Sequence, residues 1–180
     1  NPDSMLAQKL DGFKRWYAQS GTPRVIARGR YDAPSRSYTL GLEQQCKPTP
    51  GQATKEPFVI PVLMGLMDRA GRALPLKFQR EPDAAPMQRL LVLDEHRAFF
   101  TFQDLDAEPV LSLMRGCSAP VHTTDSLTDA DLLLQMRHDT DPFNRWEASQ
   151  RLAATRLGVA YDATDGLQVG DDAYLSTLRA

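Results

Sequence analysis

Three histidines are the side chains of this 180-residue sequence that offer the most obvious metal chemistry. They are His96, His122 and His138, and no two of them share a short segment. A zinc site built on one helix needs two ligands at close spacing, as in His-Glu-x-x-His, because only then do both rings reach the same ion. The sequence therefore predicts no metal ligands in this chain and no bound cofactor.

A nucleophile is the second kind of chemistry to consider. Hydrolases that use serine place it in Gly-x-Ser-x-Gly, and that pattern does not occur. Cys117 and Ser118 come shortly before His122, but Ala119-Pro120 lies between them. This spacing favours a structural bend over a catalytic pair, and we assign no catalytic residue.

Clustered charges have structural interpretations as well. Asp125, Asp129, Asp131, Asp139 and Asp141 could suggest a hard cation, yet they stand at predicted helix starts, where carboxylates favour the helix dipole. Capping explains them without a ligand.

Arginines along the first predicted strand could contact phosphate. Arg24, Arg28 and Arg30 share one face, with Arg36 just beyond. The chain has a net charge of −2, so a solvated or interdomain salt-bridged surface fits better than nucleic acid. No apolar run has the length of a spanning helix, and Cys46 and Cys117 form no Cys-x-x-Cys motif. We expect a cytoplasmic protein with neither a nucleic-acid nor a membrane partner.

The element that must organise the fold is the uncharged stretch of residues 58–67, which reads FVIPVLMGLM. A strand without any charge has both faces covered, so we predict the central strand of a buried sheet. Pro61 implies a bulge or an unpaired neighbour at that point. A turn at residues 68–71 leads to a second strand that ends at residues 74–78.

Residues on both sides of this strand alternate between apolar and polar, which is the period of β-strands. Further strands are predicted at residues 25–31, 38–42, 89–93, 98–102, 110–114 and near 121. Seven or eight short strands separated by proline and glycine indicate an antiparallel β-sandwich of Ig-like type.

Helical periods flank the sandwich. Leu6, Leu10, Phe13 and Tyr17 form one stripe of a helix over residues 4–20, which ends at Gly21. After residue 125, Thr128-Asp-Ala-Asp131 predicts a capping box, and Asp141-Pro142 predicts the start of a second helix.

A third helix is predicted from about residue 171, and Leu175 and Leu178 lack partners in it. The predicted class is mainly β with flanking helices, divided as residues 1–21, 22–124 and 125–180. Because the sequence opens Asn1-Pro-Asp-Ser, we expect a piece of a longer protein.

Two stretches then carry a specific resemblance: FKRWYAQSGTP at residues 13–23 and MRHDTDPFNRWEASQ at residues 136–150. They resemble segments of bacterial aminopeptidase N, the family of zinc-dependent alanyl aminopeptidases of the gluzincin class. The similarity also runs through Tyr38-Thr-Leu and Cys117-Ser-Ala-Pro-Val, in the same order. It implies the end of a catalytic domain, a complete sandwich, and the start of a helical domain that covers the active site.

The departures from the family pattern matter for activity. The family holds zinc with His-Glu-x-x-His and grips the substrate amine with Gly-x-Met-Glu-Asn, and this chain has neither motif. We therefore expect a non-catalytic piece of a zinc metallo-aminopeptidase that removes N-terminal amino acids from peptides. The sandwich would space the catalytic domain from the helical cap, and those two missing domains would be its partners. Zinc would belong to the parent enzyme.

The resemblance also suggests where interdomain packing occurs. The candidate residues are Trp16, Tyr17, Arg145, Trp146 and Glu147, with Trp146 either a junction anchor or an ordinary bundle-core residue. Exposed helix faces would allow self-association. The alternative is a free-standing sandwich module that binds protein or carbohydrate, which would present an exposed aromatic platform.

Overall fold

Two β-sheets packed face to face, followed by two long helices, make up the computed structural model of this chain. It describes residues 10–81, 84–162 and 176–177. Two one-turn helices come first, α1 at Leu10–Phe13 and α2 at Arg15–Ala18. The strands are β1 Arg24–Asp32, β2 Ser37–Gln45, β3 Ile60–Met67, β4 Ala73–Leu74, β5 Lys77–Phe78, β6 Gln88–Leu93, β7 Arg97–Gln103, β8 Val110–Ser112 and β9 His122–Thr124. A 3-10 turn at Arg115–Cys117 follows β8, and the long helices are α3 Asp129–His138 and α4 Pro142–Asp162.

The first sheet has the order β5-β7-β2-β1-β9. Its β1–β2 and β2–β7 pairs are antiparallel, as predicted for an Ig-like sandwich, and the predicted fold class is confirmed. One pair departs from the antiparallel prediction, because β9 runs parallel to β1 with Arg24 opposite His122. Strands so far apart in sequence are not joined by a hairpin, so the returning chain sets their relative direction.

The second sheet is built on β3, which pairs with β6, β4 and β8. The prediction of a central strand at this position is therefore confirmed. Pro61 pairs with Val92 of β6, its only strand partner among the described residues. Since proline has no N–H to donate, it is tolerated where one edge of the strand lacks a neighbour. Two residues on, the Leu63 N–H donates to the Ser118 hydroxyl at 3.1 Å.

The predicted second strand is in fact two short strands in different sheets. In β4, Leu74 pairs with Leu66 of β3, whereas in β5 Phe78 pairs with Phe102 of β7. Pro75 lies between them and cannot donate to a ladder, which ends the first pairing. The chain thus crosses from one sheet to the other at this proline.

Both sheets contribute alternate residues to one apolar core. The fully buried side chains that meet there from β1, β2, β3, β6 and β7 include Val25, Leu40, Leu42, Ile60, Val62, Met64, Leu66, Leu93 and Phe102. One polar residue, Gln44 of β2, lies among them with 4% of its surface exposed. Its amide accepts from the Phe58 N–H at 2.7 Å and donates to the carbonyls of Phe58 at 2.8 Å and Glu95 at 3.0 Å. Gln44 therefore joins the first sheet to both strands of the β3–β6 pair, at the end where β3 begins and β6 ends.

The two long helices begin where the sequence predicted them, whereas the N-terminal helix differs from its prediction. Thr128 and Asp131 form the predicted capping box of α3, and α4 begins at Pro142 as predicted. The single N-terminal helix is instead two one-turn helices interrupted at Lys14. Its predicted start, including Leu6, lies outside the described residues, as do Leu175 and Leu178. No helix within the described ranges is long and apolar enough to cross a membrane.

Candidate functional site

The junction between the sandwich and the long helices is centred on a buried arginine. Arg115 follows β8 and is 7% exposed. Its Nη1 donates to the Ser112 hydroxyl at 3.0 Å and to the Asp139 carboxylate at 3.1 Å, and its Nη2 donates to the Thr140 hydroxyl at 2.6 Å. Asp139 is 1% exposed and lies in the loop between α3 and α4. A buried ion pair therefore fixes this loop to the end of a sandwich strand.

The backbone around Arg115 is shaped for this contact. Met114 has φ 55° and Cys117 has φ 53°, both in the left-handed region that side chains rarely adopt. On the other side of the guanidinium lies Gly65 of β3, where an added Cβ would stand 2.7 Å from Nη1. Glycine at this position leaves the space that the guanidinium fills.

Two buried amides connect the helices to the strand beside Arg115. Asn144 of α4 donates from Nδ2 to the Leu113 carbonyl at 3.0 Å and to the Ser112 hydroxyl at 2.9 Å. Gln135 of α3 donates from Nε2 to the Leu111 carbonyl at 2.7 Å. Each long helix thus supplies a donor to a backbone carbonyl at the end of the sandwich. Without these donors the carbonyls would be buried without hydrogen-bond partners.

Further ion pairs support the junction from the outside. Arg151 of α4 makes two bonds to the Asp125 carboxylate, at 2.8 and 2.7 Å. The hydrogen bond to Asp125 raises the pKa of Arg151, so the guanidinium stays charged. At the start of α3, Asp131 pairs with Arg69 from the β3–β4 turn. Burial opposes ionisation of Asp131, but bonds from Thr128 and Arg69 outweigh it and hold its pKa below the usual range.

A cavity of about 320 Å³ remains between these elements. Its apolar wall comes from the β8 side and includes Leu113, Met114 and Val121. Its polar wall comes from the helices and includes Gln135, Asn144, Glu147 and Arg151. We refer to this space as the junction cavity.

The N-terminal junction is simpler. Trp16 donates from Nε1 to the Val59 carbonyl at 2.9 Å, and its ring lies 4.8 Å from that of Phe58. Arg15 donates to the Pro57 carbonyl at 2.7 Å, and Gln19 donates to the Glu56 carbonyl at 3.0 Å. Helix α2 is therefore held mainly by hydrogen bonds to backbone carbonyls of the segment that leads into β3.

The comparisons with known proteins match both parts of this architecture. Residues 21–126 match the family described as a domain of unknown function (DUF3458) with an Ig-like fold, and residues 129–180 match its C-terminal companion with ARM repeats. The chain belongs to the DUF3458 Ig-like family.

Curated relatives of this DUF3458 chain carry the name aminopeptidase N, which confirms the resemblance seen in the sequence. The protein from Escherichia coli strain K12 is 37% identical over 153 residues, covering 84% of this chain and 17% of the relative. The protein from Caulobacter vibrioides is 38% identical over 173 residues, covering 94% of this chain and 18% of the relative. The chain thus spans less than a fifth of the length of these relatives.

A solved structure shows the same arrangement of the DUF3458 region. Legionella pneumophila aminopeptidase A, crystallised with aspartic acid, superposes with a TM-score of 0.73 at 26% identity. The match covers 94% of this chain and 18% of that protein. Its extent includes the sandwich and the helices together, so the two parts recur as a unit.

The residues predicted for interdomain packing lie in different environments in this DUF3458 chain. Trp16 is packed as described, whereas Tyr17 is 86% exposed with its ring 6.4 Å from that of Phe13. Trp146 is 54% exposed and its ring contacts Phe143 at 5.7 Å.

The other two predicted residues lie on the same helix as Trp146. Arg145 is exposed and donates to the Asp139 carbonyl at 2.8 Å. Glu147 is half-buried at the junction cavity. Their role in packing between domains stays a prediction.

Sequence reasoning missed the buried residues that hold the junction. Asp139 and Asp141 were interpreted as helix caps, and Asp141 does accept from the Asn144 N–H at 2.9 Å. Asp139 is instead the partner of Arg115. The available signal is a single arginine after the mostly apolar residues 110–114, because a charge at the end of a buried strand requires a partner.

Zinc, which the resemblance implies for the longer enzyme, does not fit the side chains that the structure describes. Within residues 10–81, 84–162 and 176–177, no three histidine, cysteine or acidic side chains come together as a ligand set. His96, His122 and His138 remain on separate elements, and the junction acids are bonded to arginines or helix ends. The charged residues of the junction are thus engaged in structural contacts.

Proposed function

We propose that this chain is the non-catalytic middle of a zinc-dependent aminopeptidase that removes N-terminal amino acids from peptides. In this proposal the sandwich spaces a catalytic domain from a helical cap, and those domains are its partners in a cytoplasmic protein. The relatives named aminopeptidase N and the small share of their length that the chain spans support the assignment.

The single observation that carries the spacing role is the buried Arg115–Asp139 pair. Interfaces between domains of one chain are usually polar and allow relative motion. Here a charged pair and two amides are buried between the strand end and both helices. These bonds between the strand end and both helices support a fixed angle between the sandwich and the helices.

Hydrolysis of an alanyl anilide tests the non-catalytic assignment. We expect the 180-residue chain, with zinc added, to give no turnover above a buffer blank. Turnover by the purified chain would reject it.

The spacing role needs the longer protein. In that protein we expect Arg115→Met to lower kcat/KM for peptides by roughly tenfold or more, because a displaced helical cap would disturb the positioning of the substrate. Arg30→Met, at an exposed position on β1, is the matched control and should leave kcat/KM unchanged. Equal activity of both variants would contradict a spacing role.

One observation favours the alternative, a sandwich that binds protein or carbohydrate. Phe99 of β7 is 72% exposed on the outer face of the first sheet. Its ring lies close to Gly41, where an added Cβ would be 3.1 Å from it, so the glycine leaves room for the ring. Screening the chain against glycans and peptides, with Phe99→Ala as the comparison, tests this reading. Binding that depends on Phe99 would support the alternative.

A further inference from the structure

The junction cavity contains two buried amides whose orientation is fixed. Gln135 and Asn144 are 4% and 5% exposed. Their NH₂ groups donate to the carbonyls of Leu111 and Leu113, which can only accept, so the amide oxygens must point away from β8. The two carbonyls are two residues apart on one chain segment, which places the amides side by side.

Each amide oxygen is a hydrogen-bond acceptor without a donor in the described part of the chain. The bonds of both side chains within residues 10–81, 84–162 and 176–177 are made by their nitrogens. Neither oxygen is among the fully buried side-chain atoms that lack a hydrogen-bond partner, so both are accessible, and both residues line the junction cavity. The cavity is therefore the space that the two oxygens face.

The charges that line the cavity also favour a positively charged hydrogen-bond donor. Glu147 lies one helical turn after Asn144 on α4, so the carboxylate and the amide are neighbours on one face. Arg151 lies one turn further and is bonded at both nitrogens to Asp125, so these two charges compensate each other. Glu147 also attracts Arg151 and helps to raise its pKa, so the three charges Asp125, Glu147 and Arg151 of the cavity lining leave one negative charge in excess.

We propose that the junction cavity binds the guanidinium or ammonium head of a small aliphatic cation. The head would donate to the oxygens of Gln135, Asn144 and Glu147, and the stem would lie on Met114 and Leu127. Pockets for ligands measure roughly 300–1,000 Å³, so a cavity at the lower end suits one cationic chain. Anions are disfavoured because acceptors and a carboxylate line the helical wall.

Two sources supply this chemistry. One is an arginine or lysine side chain from another part of a longer protein, and the other is a free amine such as agmatine. The inference goes beyond the proposed function, since binding is measured on the 180-residue chain alone and does not require peptidase activity.

NMR titration of the 180-residue chain with agmatine tests the proposal. We expect the side-chain NH₂ signals of Gln135 and Asn144 to shift with a Kd on the order of 1 mM, while butyrate leaves them unmoved. Glu147→Gln should weaken binding about tenfold, which corresponds to the loss of one charge-assisted bond. Glu147→Lys should abolish binding because it supplies the cavity with its own ammonium group.

The matched control is Glu95→Gln, an exposed carboxylate at the β6–β7 turn that should not change the Kd. If agmatine causes no shift at these two amides, or butyrate binds equally well, the proposal is wrong. Repeating the titration on the longer protein separates the sources. Loss of the shifts there supports a resident side chain, and their persistence supports a free amine.

Discussion

The two junctions of the sandwich are built on different principles. At the C-terminal side, Arg115, Asp139 and Asn144 are almost completely buried: Arg115 pairs with Asp139, and Arg115 and Asn144 both donate to Ser112 at the end of β8. At the N-terminal side, Arg15 and Trp16 are half-buried and bond to backbone carbonyls of residues 57 and 59. One junction thus depends on paired charges away from water, and the other on single bonds near the surface.

This difference indicates which junction tolerates change. Removing one member of a buried pair leaves the other charged and unsolvated, whereas removing a donor near the surface leaves a carbonyl that water can reach. The helices should therefore separate from the sandwich only when the whole fold fails. The N-terminal helices should detach locally, at a much smaller cost in free energy.

The largest expected effect is at Arg115. We expect Arg115→Met to lower the free energy of unfolding by about 3–5 kcal/mol, because Asp139 is left as an uncompensated buried charge. Urea denaturation followed by circular dichroism measures this. Arg30→Met, an exposed arginine on β1, should change the value by less than about 0.5 kcal/mol.

The Arg115→Met/Asp139→Leu double variant separates the pair from the position. Since replacing both charges by apolar groups removes the unpaired carboxylate, it should recover most of the loss. A single variant as stable as the double one would show that the pair does not hold the junction.

Gly65→Ala should have the next largest effect. The added methyl group meets Nη1 of Arg115, and the guanidinium cannot move aside because it is held by Ser112, Asp139 and Thr140. We expect a loss of about 1–3 kcal/mol, as for overpacking in a core. In the background of Arg115→Met the same substitution should cost much less, and additive losses would contradict the contact.

The two tryptophans provide a smaller test of the N-terminal junction. Trp16→Phe keeps an aromatic ring against Phe58 but removes the donor to the Val59 carbonyl, so we expect a loss of about 1 kcal/mol. Hydrogen exchange should report faster opening of residues 15–18 without a change in α4. Trp146→Phe is the matched control, since its ring is more than half exposed, and it should be close to neutral.

The smallest effect concerns pH and Asp131. Its pKa is lower in the folded protein than in the unfolded chain, so the ionised form favours folding. This contribution is complete above the unfolded value of about 3.9 and is lost as pH falls through the lower folded pKa. We expect the difference in urea midpoint between the natural chain and Asp131→Asn to shrink below about pH 4. A difference independent of pH would show that the bonds to Thr128 and Arg69 do not depend on the charge.

Much of the fold follows from the sequence because it rests on local patterns. The uncharged β3 and the capping box at Thr128 are specified by neighbouring residues, and both were predicted. The parallel pairing of β9 with β1 was not, because it depends on the path of a distant segment.

The junction was harder to predict for the same reason. Arg115 and Asp139 are 24 residues apart, and Gly65 is farther still. Only the fold brings these three residues together. In the sequence they are a lone arginine, an acid interpreted as a helix cap and a glycine within a strand. Periodicity identifies faces of elements, but it does not identify which polar residues meet across them.

Gln44 gives the sandwich a property that its apolar core alone would lack. Its amide forms hydrogen bonds to the segment that leads into β3. The same segment accepts hydrogen bonds from Arg15 and Trp16 at the carbonyls of residues 57 and 59. A force applied to the N-terminal helices therefore reaches β3 along the chain and β2 through the Gln44 amide, so both sheets bear it. We therefore expect the sandwich to be mechanically stiff, with little sliding of one sheet over the other.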